Sequence, residues 1–182
     1  LFYIDDSGMP GLVAALEELP NGPDYCVTPD CWGGINGWGC MNTPIEGADG
    51  TAIGTGYQNT LDIVAGCSDE IPASLALAYE GGGYSDWYLP SIDELSEIRN
   101  AIGPGSPLGN IAGLNTNWQN YWSSSENPCC DGAYAIALQP NNGGTPNMYK
   151  SLDLHIRVIR SVTFIENPGC IAVVNGCMDP NA

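Results

Sequence analysis

The chain has 182 residues, with four Lys or Arg against 21 Asp or Glu, so its formal net charge is −17. Four cations cannot build the basic face that nucleic-acid binding or adhesion to an anionic bilayer requires. No apolar run approaches the roughly 20 residues of a membrane span. Five Trp, nine Tyr and two Phe argue against disorder, because aromatic side chains need burial. We therefore expect one folded domain with a short appendage, no nucleic-acid partner and no membrane insertion.

The first 54 residues predict a hairpin followed by an irregular segment. Apolar runs at residues 2–4 and 11–16 flank the turn-forming sequence Asp-Ser-Gly, which favours a hairpin. Helix propensity leaves a helix over residues 12–19 as the alternative. Residues 20–54 contain eight Gly, four Pro and three Cys. Such a segment stays ordered only if it is cross-linked and packed.

Three helices are predicted in the middle of the chain. Residues 55–65 form the first, and residues 72–79, with Pro at their start and a Gly run behind them, form the second. The third covers residues 92–102, because Ser91 and Glu94 make an S-x-x-E capping box. The apolar side is assigned to Leu61, Val64 and Ala65 in the first helix and to Leu95, Ile98, Ala101 and Ile102 in the third.

Strands are predicted in the second half of the chain. Residues 121–124 and 134–138 have the composition and length of short strands. An Asn-Gly-Gly turn at residues 142–144 leads into a strand over residues 147–150. The last strand covers residues 155–163. The sequence alone thus predicts an α+β fold with two or three helices, a small antiparallel sheet and long disulfide-linked loops.

Eight cysteines, an even number, indicate disulfides formed in an oxidising compartment, and therefore a secreted or cell-surface protein. A zinc site is the alternative, but only Cys26 and Cys31 have ligand-like spacing, and His155 is the single histidine. We expect a Cys40–Cys67 bridge that joins the irregular segment to the first helix.

The other cysteines leave the pairing partly open. Cys170 and Cys177 are expected to close a small C-terminal loop. Cys129 and Cys130 bond one each to Cys26 and Cys31, or two local bridges form, Cys26–Cys31 and Cys129–Cys130.

Packing explains most of the conspicuous side chains. Trp87 precedes a Leu-Pro dipeptide and is expected in the core, as is Trp122, whose neighbour Tyr121 alternates to the other face of the strand. The serines at 123–125 lack the G-x-S-x-G turn of a nucleophile, and a single histidine would have to act as their base. We expect His155 to be structural and the protein not to be an enzyme.

Two arginines near the end of the chain are expected in ion pairs. Arg157 and Arg160 are two of only four cations among 21 carboxylates. Glu94 or Glu97 is the partner that we expect for them.

Three segments resemble the Lcl C-terminal domain family, a bacterial surface module named after a collagen-like adhesin. They are W-x-L-P-S-x-x-E-L at residues 87–95, Y-W-S-S-S-E at 121–126 and I-R-V-I-R at 156–160. The resemblance spans about residues 1–162. It implies a C-type-lectin-like fold in which the first and last strands pair, and it implies no catalytic activity.

The resemblance sets the expected domain organisation and function. Residues 1–163 form the lectin-like domain, and residues 164–182 form a linker and the start of a Cys/Asp-rich extracellular module. The implied function is recognition of a glycan or a surface protein. The alternative is a structural module of an extracellular fibre, sheath or array, which contacts neighbouring modules of the same larger protein or assembles as a homo-oligomer.

The ligand-binding surface is expected on the irregular side of the strand region. Side chains at turns and strand ends vary there without disturbing the core. Aromatic rings stack on sugars, and amides bond to hydroxyl groups. The predicted ligand-binding residues are Trp118, Asn120, Asn127, Asp131, Asn141, Asn142, Asn147 and Tyr149.

Calcium (Ca²⁺) is the one cofactor that the sequence leaves open. Residues 139–141, Gln-Pro-Asn, are close to the sugar-binding tripeptide of calcium-dependent lectins, but no Trp-Asn-Asp follows them. The acidic loop at residues 46–51 supplies further oxygen ligands of the kind that calcium prefers. The sequence does not identify the metal ligands.

Overall fold

A computed structural model of the protein describes residues 1–4, 11–19, 37–68, 70–117 and 119–163. These residues form three α-helices and two antiparallel sheets, so the predicted α+β class is confirmed. The expected tail at 164–182 and four of the cysteines lie outside the described residues. The helices are α1 (Gly56–Gly66), α2 (Pro72–Ala78) and α3 (Ile92–Ala101). The strands are β1 (Tyr3–Ile4), β2 (Gly11–Ala14), β3 (Tyr121–Glu126), β4 (Tyr134–Leu138), β5 (Asn147–Tyr149) and β6 (Ile159–Val162).

The first sheet has the strand order β1-β2-β6 and joins the start of the chain to its last described strand. Tyr3 lies opposite Leu12, so β1 and β2 pair antiparallel as the hairpin prediction requires. The alternative of a helix over residues 12–19 is wrong. On its other side Leu12 faces Ser161 of β6.

The last strand is shorter than the 155–163 segment predicted for it. His155 and Ile156 form only isolated bridges, to Tyr121 and Leu19 respectively, before β6 begins. The ladder between β2 and β6 ends where Ala14 faces Ile159, because the chain leaves the strand beyond Ala14. The segment therefore crosses from the second sheet to the first and connects them.

The second sheet has the strand order β3-β4-β5, and its central feature is that every residue of β3 is buried. Trp122 is in the core as predicted, but Tyr121 is also fully buried, so the expectation that the two residues divide between core and surface is wrong. Tyr121 packs with Leu95 and Ile98 of α3, whereas Trp122 packs with Ile63 of α1. Both faces of β3 are covered by helices.

Helix α1 is in the predicted place but buries a different side. Its buried residues include Asn59, Thr60 and Ile63, whereas Leu61 is only half-buried. The polar side chains are satisfied there: Asn59 Nδ2 donates to the Gly50 carbonyl at 2.6 Å, and Thr60 Oγ1 donates to its own helix and to the chain before α3. Apolar periodicity did not reveal this face because two of its residues are polar.

The capping box of α3 is confirmed. Ser91 Oγ accepts from the Glu94 amide, and Glu94 Oε2 accepts from the Ser91 amide at 2.8 Å. The Gly54 amide also donates to Glu94 Oε1 at 2.9 Å. Burial raises the pKa of Glu94, although these hydrogen bonds oppose the shift. The buried carboxylate therefore links α3 to the segment before α1.

A disulfide and a buried ion pair hold residues 37–45 against the second sheet. The predicted Cys40–Cys67 bridge is confirmed. Lys150, fully buried, forms an ion pair with Glu126, and its ammonium donates to the Thr43 carbonyl at 3.0 Å. The Lys150 ammonium also lies 4.6 Å from the centre of the Trp38 ring. Burial lowers the pKa of Lys150, and the ion pair with Glu126 opposes that shift.

Breaking this pair on one side is expected to destabilise the fold strongly. Lys150→Met leaves the Glu126 carboxylate buried without its cation, which costs about 3–5 kcal/mol. The double variant Lys150→Met/Glu126→Gln removes both charges and is expected to be more stable than Lys150→Met alone. Urea unfolding of the parent, both single variants and the double variant measures the difference, and additive effects of the two substitutions would contradict the coupling.

Candidate functional site

The structure does not bring the eight predicted ligand-binding residues together. Trp118 lies outside the described residues. Asn127, Asp131 and Tyr149 lie near one end of the second sheet, whereas Asn120, Asn141 and Asn142 lie at the other end, with Asn147 between the two groups. The groups are separated by the length of β4, roughly 15 Å at 3.3 Å per residue.

Two tyrosines lie at the end of the second sheet that also contains Asn127 and Asp131. Tyr134 of β4 lies directly opposite Tyr149 of β5, and their ring centres are 4.4 Å apart. Tyr149 is 52% exposed, and Asn147, two residues earlier, lies exposed on the same face of this edge strand. Sequence reasoning missed Tyr134 because it was assigned only to a strand, with no role in binding.

We call Tyr134, Asn147 and Tyr149, with Asn127 and Asp131 of the adjoining loop, the tyrosine surface. The Asn127 amide donates to the Tyr134 carbonyl at 3.1 Å, so the loop lies beside the tyrosine pair. The hydrogen bond with Tyr149 and, to a smaller extent, the neighbouring Cys130 raise the pKa of Tyr134 to about 12. The Tyr134 phenol is therefore neutral and able to hydrogen-bond near neutral pH.

The loop at residues 127–132 has an unusual backbone. Cys130 and Asp131 have φ angles of 64° and 53°, in the left-handed region that non-glycine residues seldom occupy. Gly132, at φ 73°, follows them and lies so close to the chain at 43–44 that a Cβ atom would be 2.4 Å from the Pro44 nitrogen. Close packing at Gly132 thus fixes one end of the loop.

At the opposite end of the sheet the asparagines serve the fold. Asn120 is buried, so the expectation of an exposed side chain is wrong there; its Oδ1 has no hydrogen-bond partner. Asn142 Oδ1 accepts from the Gly144 amide at 2.8 Å and stabilises the turn between β4 and β5. Arg99 Nε donates to the Pro140 carbonyl at 2.8 Å and holds this turn against α3.

Glu18 contacts several polar groups around His155. Glu18 accepts from the Tyr121 hydroxyl, lies 2.7 Å from His155 Nδ1 and 3.4 Å from Arg157 Nη2. Partial burial raises the pKa of Glu18, but the hydrogen bonds with His155 and Tyr121 outweigh it, and the pKa is lowered overall. Gln119 occupies the other ring nitrogen of His155. Both ring nitrogens of His155 are therefore occupied within the cluster, whereas Arg157 Nε is buried without a hydrogen-bond partner among the described residues.

Both arginine pairings differ from the prediction. Arg157 is 2% exposed and pairs with Glu18 rather than Glu94 or Glu97; it also donates to the Ala15 and Leu16 carbonyls, both at 2.9 Å. Glu94 is occupied by its own capping box and by the Gly54 amide. Arg157 instead joins two segments that are about 140 residues apart in sequence.

Arg160 forms a bidentate pair with Asp86, at 2.7 and 2.8 Å, and lies 3.7 Å from the centre of the Tyr84 ring. The hydrogen bond with Arg160 lowers the pKa of Asp86 below its ordinary value of 3.8. With Arg99 on Pro140 and Lys150 on Glu126, every Lys and Arg of the chain is engaged within the fold.

Asp86→Asn is expected to destabilise the protein by up to about 1 kcal/mol at neutral pH, because the pair is partly exposed. The pKa of Asp86 is lower in the folded than in the unfolded state, so its contribution is present above 3.8 and is lost as the pH falls through the folded value. Urea unfolding of both proteins from pH 7 to acid measures this. A stability difference that persists in strong acid would contradict the assignment.

A second surface that sequence reasoning missed is an apolar groove of about 820 Å³. Leu16 is 93% exposed beside it, and Leu1 and Tyr84 are more than half exposed. The Gly run after α2 was interpreted only as a helix stop, although it forms part of the groove wall. The apolar and aromatic lining includes Leu1, Val13, Leu16, Tyr79, Tyr84 and Trp87.

The described part of the structure does not identify a calcium-binding site. Within residues 1–4, 11–19, 37–68, 70–117 and 119–163, no three His, Cys, Asp or Glu side chains lie close enough to hold a metal ion together. Pro140, in the centre of the lectin-like tripeptide, has its carbonyl occupied by Arg99. Calcium binding therefore stays a prediction without assigned ligands.

No family model matches the chain, and no curated protein matches it. The resemblance to the Lcl C-terminal domain family therefore stays a prediction. In the described part of the chain, no helix has both the length and the apolar character needed to cross a bilayer.

Proposed function

We propose that the chain is a non-enzymatic, extracellular, C-type-lectin-like recognition domain that binds a glycan at the tyrosine surface. The observation that carries the proposal is the pairing of exposed Tyr149 on the edge strand β5 with half-buried Tyr134 on β4, with Asn147 on the same face of β5. Tyrosine rings provide apolar faces for the C–H groups of a sugar ring, and their hydroxyls and the neighbouring amide bond to sugar hydroxyls.

The charges favour a neutral glycan over a sulfated or otherwise acidic one. All four cations are engaged within the fold, and Asp131 places a carboxylate in the loop beside the tyrosines. An acidic ligand would have no free cation to pair with and would be repelled by a chain of net charge −17.

The fold supports the lectin-like part of the proposal in two ways. The hairpin at the start of the chain pairs with β6 at its other end, as the resemblance implies. The residues that carry the resemblance also have structural roles, since Trp87, Leu89 and Trp122 are buried and Glu94 caps α3. The Cys40–Cys67 bridge supports an oxidising, extracellular location.

Tyr149→Ala is expected to weaken glycan binding about fivefold or more, because a stacking contact contributes about 1 kcal/mol. The melting temperature is expected to change little, since the side chain is half exposed. A glycan array on the whole protein identifies the ligand, and titration calorimetry then compares the variants.

Tyr57→Ala is the matched control for this experiment. Tyr57 is 49% exposed and packs against Tyr88, away from β5. The control is expected to bind as the parent does. Equal binding by the parent and Tyr149→Ala, or equal loss in both variants, would remove the tyrosine surface from the proposal.

The apolar groove favours a second candidate function, that of a structural module that binds another copy of this chain. Leu16, Leu1 and Tyr84 expose apolar area where a monomer gains nothing from it. Sedimentation analysis tests this: self-association that Leu16→Glu abolishes supports the structural function, and a monomer at high concentration contradicts it.

A further inference from the structure

Two adjacent thiols lie in the loop that enters the tyrosine surface. Cys129 and Cys130 are both exposed, and their sulfur atoms are 2.7 Å apart. Neither is bonded to another cysteine of the described residues. A disulfide needs the sulfurs at about 2.05 Å, so only a small displacement separates the two thiols from a bridge.

The loop backbone holds the sulfurs in this arrangement. Asn127 Oδ1 accepts from the Cys129 amide at 2.8 Å and fixes the turn on one side. On the other side, Gly132 packs against the backbone at residues 43–44. Between them Cys130 and Asp131 have positive φ angles, a conformation that persists only where the surroundings impose it and that is concentrated at functional sites.

We propose that Cys129 and Cys130 are a redox couple that forms a vicinal disulfide by exchange with a low-molecular-weight disulfide. Of the two pairings that the sequence leaves open for these cysteines, this is the one in which Cys129 and Cys130 bond to each other. The inference does not depend on glycan binding.

The exchange is balanced with oxidised glutathione as the oxidant. The Cys130 thiolate attacks one glutathione sulfur, the glutathione S–S bond breaks, and the first glutathione leaves with one proton. The Cys129 thiolate then attacks the Cys130 sulfur and displaces the second glutathione, which takes the other proton. The two cysteines are oxidised by two electrons, and glutathione disulfide is reduced to two thiols.

The pKa of the neighbouring Tyr134 provides a second measure of this reaction. The charges of Cys130 and Cys129 contribute to the raised pKa of Tyr134, after its hydrogen bond with Tyr149. A disulfide carries no ionisable thiol, so its formation is expected to lower the pKa of Tyr134. The hydrogen bond with Cys130 also raises the pKa of the Cys129 thiol.

The experiment uses the full chain equilibrated with reduced and oxidised glutathione and digested without reduction. We expect the peptide that contains both cysteines to be two hydrogen atoms lighter in the oxidised sample, unlinked to any other peptide, and restored by a reductant. Cys129→Ser is expected to retain one glutathione on Cys130, because no second thiol displaces it. The contribution of Tyr134 to the spectrophotometric titration, obtained as the difference between the parent and Tyr134→Phe, is expected to shift to lower pH after oxidation.

Three results would overturn the proposal. One is a peptide in which Cys129 or Cys130 is linked to Cys26 or Cys31. Another is stable attachment of glutathione to the parent protein at both cysteines. The third is a peptide that keeps both thiols free after equilibration with oxidised glutathione.

Discussion

Scarcity of positive charge is the constraint on which this fold depends. Each of the four cations joins parts of the chain that are distant in sequence. Arg99 holds the turn between β4 and β5, and Lys150 holds residues 37–45. Arg157 holds the chain after β2, and Arg160 holds the loop before α3. A chain with 21 carboxylates repels itself, and its few cations oppose that repulsion where segments meet. Recognition of an acidic ligand would have to compete with these contacts.

Hydrogen bonds within the fold satisfy several further buried polar groups that no cation contacts. Glu94 is buried with backbone amides as donors, and Asn59 and Thr60 replace apolar residues on the inner side of α1. Such networks specify a geometry because a missing partner leaves a buried polar group unpaired. They also explain how short strands and irregular segments are held in place with little regular structure.

Structural features that depend on residues close in sequence could be predicted. Features that depend on contacts between distant residues could not. The capping box of α3 is complete within four residues, and the Cys40–Cys67 bridge follows from an irregular segment that needs closure. The partner of Arg157 could not be predicted, because Glu18 reaches it only after β2 and β6 pair. The burial of Tyr121 likewise requires helices on both faces of β3. At the candidate site, turn-forming sequences predicted exposed asparagines. The position of Tyr134 opposite Tyr149 follows only from the register between β4 and β5.

Lys150 is the only lysine of the chain, and its ammonium is enclosed by Glu126, Thr43 and Trp38. Amine-directed chemistry, whether acylation, glycation or a crosslinking reagent, therefore finds no exposed side-chain amine on the folded domain. Attack at this amine requires residues 37–45 to move away from the second sheet. The rate of lysine acylation is thus an intrinsic measure of how often that segment opens, without any label having to be introduced.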